Sequence, residues 1–181
     1  MHEITVNLHM HTRYSDGSGL HRDIAAAAAR QNLDAVIVTD HNVLVEGFEG
    51  YHQVGAQRVL MLIGQEVHDQ ARLPQKNHLL VFGAKRDLAT LAQNPQALIG
   101  AVREAGGICF LAHPHEVDSP LFNEPDITWV DWDVHGFSGL EIWNHLSEFK
   151  TVLGNWPSAI LHVSRLSKSR ETVSAVIVLC Q

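Results

Sequence analysis

The chain opens with an alternation. In ITVNLHMH, residues 4–11, apolar and polar side chains change places at every step. That predicts a strand over Ile4–His9 and sets Asn7, His9 and His11 on one face while the strand lasts. The turn-rich SDGSG follows, then Leu20–Asn32, where five consecutive alanines predict a helix. AVIV (35–38), VLMLIGQE (59–66) and HLLVFG (78–83) read as short buried strands. Residues 94–107 give the clearest helix: Asn94 suits the N-cap, Pro95 the first helical position and Gly106 the stop. GICFLA and GLEIW are further strands, and VSAVIVLCQ (173–181) reads as a final one.

Five of the apolar runs carry polar or ionisable residues at their ends: H-M-H, T-D-H-N, G-Q-E, H-P-H and E-I-W-N. Helix-like stretches separate them. This is a β/α alternation with polar groups gathered at the carboxyl ends of strands, where parallel α/β barrels place their active sites. The expected fold class is therefore α/β and barrel-like. A doubly wound open sheet competes, but the Gly-rich phosphate loop that would accompany it is absent. At 181 residues, one compact domain over 1–181 is expected. A compositional break falls near residue 150, after which acidic residues almost vanish and serine rises.

Composition sharpens this picture at three points. Thirteen histidines equal all lysines and arginines together, which favours a metal or acid–base site. The net charge of -7 argues against a nucleic-acid groove built on bulk positive charge, and no dedicated nucleic-acid module is visible. The two cysteines, Cys109 and Cys180, form no CxxC pair, and Cys109 in the run ICFLA is expected in the core. The amino terminus does not read as a signal peptide and no apolar run reaches membrane-spanning length, so a cytoplasmic protein is expected.

If the strand ends converge, His9, His11, Asp16, His41, Glu66, His78 and His113 line one mouth. Imidazole and carboxylate donors without thiolate suit zinc, manganese or iron. Seven donors exceed the needs of one ion, and a carboxylate such as Glu66 can bridge two. Paired ions activate a water and clamp the oxygens of a displaced phosphoryl group. Singly, each residue has a plainer reading. Asp16 in SDG is a natural turn residue, His78 suits a strand edge, and His113 before Pro114 suits an extended loop. Asp40 is expected either to orient the adjacent loop or, as the favoured role, to hydrogen-bond a ligand histidine, while His2, His52, His68 and His162 are expected at the surface.

Taken in order, HMHTRYSDG, VTDHN, GQE followed by NHLLVFG, AHP and GLEIWN resemble the polymerase and histidinol phosphatase (PHP) family of metal-dependent phosphoesterases, over about residues 4 to 145. The resemblance implies a distorted, TIM-like, seven-stranded β/α barrel with two or three divalent ions (Mn, Zn or Fe) in its mouth. It also implies phosphate-ester hydrolysis by a metal-bound hydroxide. Position by position, His9 and His11 match the opening ligand pair, Asp16 the acidic ligand after it, and His41 the ligand of the TDH segment. Glu66 matches the bridging carboxylate, and His78 and His113 the next two ligands. Glu66, Asp16, Arg13 and His115 are the candidate catalytic residues, the last two because they stand beside ligands and within reach of a phosphate.

Members of that family complete the site with an Asp-x-His segment after a last strand, yet no aspartate follows Asp133 here. The expectation is a barrel and site incomplete at the carboxyl end, weakened metal binding, and a divergent tail over 150–181. Asp133, His135 and His145 are poor substitutes, because they belong to the wrong strand. Three functions stay in play. One is a phosphoesterase acting on a phosphomonoester or short nucleotide. Another is a metal-binding domain with weak or no turnover. The last is an amidohydrolase, whose usual bridging lysine lacks a counterpart, since Lys76 and Lys85 flank a strand and do not end one.

Overall fold

The computed structural model describes residues 3–120, 123–144, 147, 150 and 175–179. Along the chain run β1 (Val6–Asn7), α1 (His21–Arg30), β2 (Ala35–Val38), β3 (Gly50–Val54), β4 (Gln57–Val67) and β5 (Leu79–Phe82). After them come α2 (Pro95–Glu104), β6 (Ile108–Leu111), β7 (Gly139–Asn144) and β8 (Ala175–Leu179). The helices start where local chemistry dictates. The Asp23 carboxylate accepts the Leu20 N–H at 2.9 Å ahead of α1, and the Asn94 side chain accepts the Ala97 N–H at 3.0 Å ahead of α2. Gly106, at φ +76°, then turns the chain out of α2 at no Cβ penalty.

The strands form one mixed sheet in the order β1-β2-β4-β5-β6-β7-β8, with β3 folded back onto β4 as a hairpin. Strands β1, β2 and β4 are mutually parallel, as are β6 and β7. Strand β5 runs antiparallel to both its neighbours, and β8 antiparallel to β7. The expected β/α alternation holds in part, and β5 departs from it. Residues 68–78 between β4 and β5 contain no crossover helix, so the chain returns antiparallel. The expected first strand is also shorter: its ladder stops at Asn7, whose side chain accepts the His9 N–H at 3.2 Å.

The sheet is curled. Five steps separate β1 from β7, about 24 Å in a flat sheet at about 4.8 Å per step. Yet the His9 ring beyond β1 lies 3.0 Å from the Glu141 carboxylate on β7. This is a mixed α/β fold with a partly closed, barrel-like sheet.

Strand parity sorts the side chains between two faces. Leu79 and Val81 of β5, with Cys109 and Leu111 of β6, pack outward against Leu98, Ile99 and Val102 of α2. Val36, Val38 and Met61 pack outward against the α1 alanines. The alternate residues Ile37, Leu80, Phe82, Phe110 and Ala112 form a separate inner layer inside the curl. Truncating a fully buried leucine such as Leu80 or Leu111 costs about 2–5 kcal/mol, so this two-sided core fixes the strand register beneath the site. Among the described residues, no helix is long and apolar enough to cross a membrane.

Candidate metal centre

Glu66 is the hub. It lies on β4 opposite Leu80 of β5, and so on the inner face, and is 1 % exposed. Its Oε2 is 2.8 Å from His9 Nε2, 3.2 Å from His11 Nε2 and 3.4 Å from His41 Nδ1. Its Oε1 is 2.8 Å from His78 Nδ1 and 2.9 Å from His113 Nε2. Asp16 closes the group from the rim, 3.6 Å from both His11 Nδ1 and His41 Nε2. All seven residues singled out from the sequence therefore meet. All seven line a cleft of about 430 Å³, within the usual range for small-molecule sites.

The fold explains how each arrives. His9 and His11 follow β1, His41 follows β2 and pairs as an isolated bridge with Glu66, and His113 follows β6. His78 precedes β5, but because that strand is antiparallel its amino end lies at the rim where its neighbours end. The loop carrying Asp16 is tied down by Asp40, which accepts the Thr12 N–H and hydroxyl, each at 2.6 Å, and the Ser15 hydroxyl at 2.8 Å. Of the two roles expected for Asp40, orienting a loop is the one seen, and the favoured bond to a ligand histidine is not. Gly17 completes the turn, because a Cβ there would collide with the His11 carbonyl.

The electrostatics point to cations. An ionised carboxylate offers about four acceptor sites, yet five imidazoles face Glu66. Burial opposes its ionisation, but the charges of His9, His78 and His41 outweigh burial and hold the carboxyl well below its usual range. Burial likewise works against protonating His9, and Glu66 and Glu141 together overcome it, raising that imidazole well above its ordinary value. The His41 imidazole beside Asp16 pulls the Asp16 carboxyl down despite desolvation. His11 Nδ1, His41 Nδ1 and His78 Nε2 are buried without hydrogen-bond partners. Three donor sets each gather within 4.8 Å: His9–His11–Glu66, His11–Asp16–His41 and His41–Glu66–His78. Nitrogen and carboxylate oxygen donors so spaced, with ring nitrogens left over, fit divalent metal ions.

Several residues stand elsewhere than expected. His68 is buried at 4 % exposure, not at the surface. Its N–H donates to Asn42 Oδ1 at 3.0 Å and its ring stacks on His78 with centroids 4.3 Å apart. Burial first, then His78 and His41, push its pKa down to about 4. His52 is half-buried, 2.7 Å from the Phe48 carbonyl. Arg13 and His115 are exposed and stand outside the cleft wall, as do Asp133 and His135. His2, His145 and His162 lie outside the described residues.

Two carboxylates escaped the sequence reading. Glu141 touches His9 from behind, and Glu116 lies 3.2 Å from His113 Nδ1 while accepting from Lys150 and from the Ser147 hydroxyl at 2.6 Å each. Parity carried the signal for the first: Gly139 pairs with inner-facing Phe110, so Glu141 must also face inward.

A sequence profile of the PHP domain family matches residues 7–134. An uncharacterised protein of Methanocaldococcus jannaschii is 24 % identical, over 76 % of this chain and 80 % of its own length. Among solved structures, a proposed metal-dependent phosphoesterase of Bifidobacterium adolescentis superposes with a TM-score of 0.53 at 15 % identity, covering 92 % of this chain and 84 % of its own. A two-domain protein of Bacteroides vulgatus, containing a predicted PHP-like metal-dependent phosphoesterase, shares 19 % identity at a TM-score of 0.42, with 71 % of this chain and 39 % of that one covered.

Proposed function

This chain belongs to the PHP domain family, and from that premise we propose that it is a metal-dependent phosphoesterase acting on a phosphomonoester or short nucleotide. The observation that carries the reading is the division of Glu66, with Oε2 among His9, His11 and His41 and Oε1 between His78 and His113. In this reading those residues and Asp16 hold two or three divalent ions, with zinc, manganese or iron as the candidates. Such ions, when bound, polarise phosphoryl oxygens and make a water acidic enough to attack near neutral pH. The chain supplies the rest. Glu66 brings a fixed negative charge shared between neighbouring positions, and Asp16 stands at the cleft mouth. Beside Glu66, whose partner in the ladder is Leu80, lies the apolar inner layer of Leu80, Phe82 and Phe110. A cleft of about 430 Å³ suits a small phosphorylated molecule better than a polymer.

The test is phosphate release from a chromogenic phosphomonoester and from short oligonucleotides, by protein stripped with chelator and reloaded with manganese or zinc. Metal-dependent release that is lost in Glu66→Gln supports the reading. Full metal loading with no release from any ester would favour metal binding with weak or no turnover.

A further inference from the structure

Glu141 has no place in the donor sets, yet it is as buried as Glu66, at 1 % exposure. Its Oε1 lies 3.0 Å from His9 Nδ1 and accepts from Asn144 Nδ2 at 3.2 Å. Its Oε2 accepts the His113 backbone N–H at 2.9 Å and lies 3.2 Å from the same His9 nitrogen. We infer that Glu141 is a positioning residue: it fixes which nitrogen of His9 carries the proton, and it locks the backbone that presents His113. This inference rests on the metal-centre reading above.

A carboxylate only accepts hydrogen bonds, so the nitrogen that faces it must be the protonated one. Both His9 nitrogens face carboxylates, Nδ1 that of Glu141 and Nε2 that of Glu66 at 2.8 Å; with an ion bound by that donor set, the proton Glu141 keeps on Nδ1 would leave the Nε2 lone pair to the ion. The second contact acts on backbone geometry. His113 has φ +26°, a sparsely populated conformation for a residue with a side chain, and Pro114 follows it. A buried charge-assisted hydrogen bond from its N–H offsets part of that cost. One side chain on β7 therefore sets two candidate ligands that arrive from β1 and β6.

Glutamine at this position keeps the volume but has one accepting end and one donating end. If its oxygen serves the His113 N–H, its NH₂ faces His9 Nδ1. The ring proton must then move to Nε2, which points it into the donor set. If the amide flips, its NH₂ opposes the His113 N–H instead. Neither arrangement satisfies both partners.

The test uses zinc alone, titrated against a chelating indicator. Glu141→Gln should bind zinc about 10–100-fold more weakly. Placed on His9→Ala, the same change should lose most of that effect, leaving little more than about twofold. A second readout needs no change at Glu141. In the zinc-loaded wild type, nitrogen-correlated proton spectra should show the His9 ring N–H on Nδ1, identified by its loss in His9→Ala. Wild-type zinc affinity in Glu141→Gln, an undiminished effect on His9→Ala, or the His9 proton on Nε2 would each overturn the inference. None of these readouts involves ester hydrolysis, so a protein that binds zinc without turnover leaves the inference standing.

Discussion

Replacing Glu66 by glutamine tests the centre at its hub. The volume is kept, but the charge faced by five imidazoles is removed. Because the two oxygens serve different groups of histidines, one substitution weakens more than one donor set. Losing even a hydrogen-bonding partner behind a metal ligand costs about 10–100-fold in affinity, so about 100-fold is a fair figure for a ligand. A metal at about 100 times its Kd stabilises the fold by about 2.7 kcal/mol, and at the same free concentration a site about 100-fold weaker contributes about 0.4 kcal/mol. The difference of about 2.3 kcal/mol corresponds to about 5–9 °C in Tm for a chain of this size. The assay is thermal unfolding by circular dichroism at fixed free zinc, with and without chelator. Chelation should lower the wild-type Tm by at least that much and move Glu66→Gln by less than about 2 °C. A Glu66→Gln protein that keeps the full zinc-dependent rise would refute the reasoning.

Three further outcomes follow from other parts of the molecule. Gly17→Ala drives a Cβ into the His11 carbonyl, so it should destabilise the fold by about 1–3 kcal/mol, read by urea unfolding, and weaken zinc binding by displacing Asp16 and His11. Cys109 is fully buried and its thiol is pushed up to about 11 by that burial, so in a Cys180→Ser background a thiol reagent at pH 8 should label the native protein only after unfolding. Lys76, 2.6 Å from Asp126, holds that carboxyl down to about 2. A depressed carboxylate contributes stability that is complete above its unfolded pKa of about 4 and is lost as pH falls through about 2. Since the Asp126 side chain is 47 % exposed and its charge is screened by solvent, acid titration of Asp126→Asn should show a loss of no more than about 1 kcal/mol, present at neutral pH and fading as pH falls through about 2.

Much of the candidate cluster was legible because several apolar runs in turn end in histidine, aspartate or glutamate, where barrel-like α/β folds gather polar side chains. His9, His11, His41, Glu66 and His113 could be placed from the apolar runs before them, and the structure gathers them within hydrogen-bonding or near-contact range. His78 stands before its run and fits the same rim only because β5 is antiparallel, a fact of chain connection that periodicity does not encode. The hairpin strand β3 was missed because GYHQV carries two large apolar residues in five positions and stays half-exposed. His68 was misplaced for a different reason. A lone polar residue after a long strand looks solvated, and its burial follows from the tertiary stacking on His78. Asp40 and Glu141 share one lesson: a residue type announces a hydrogen bond, while its partner is set by the packing of other strands.

Whether the Glu66 cluster holds divalent metal is read from metal content per chain. Purified protein is stripped with chelator, reloaded with zinc or manganese, freed of loose ions and measured by elemental analysis beside Glu66→Gln. Two or more ions per wild-type chain and a clear loss in the variant are expected. Wild-type protein that retains no metal, or a variant that retains as much, would contradict it.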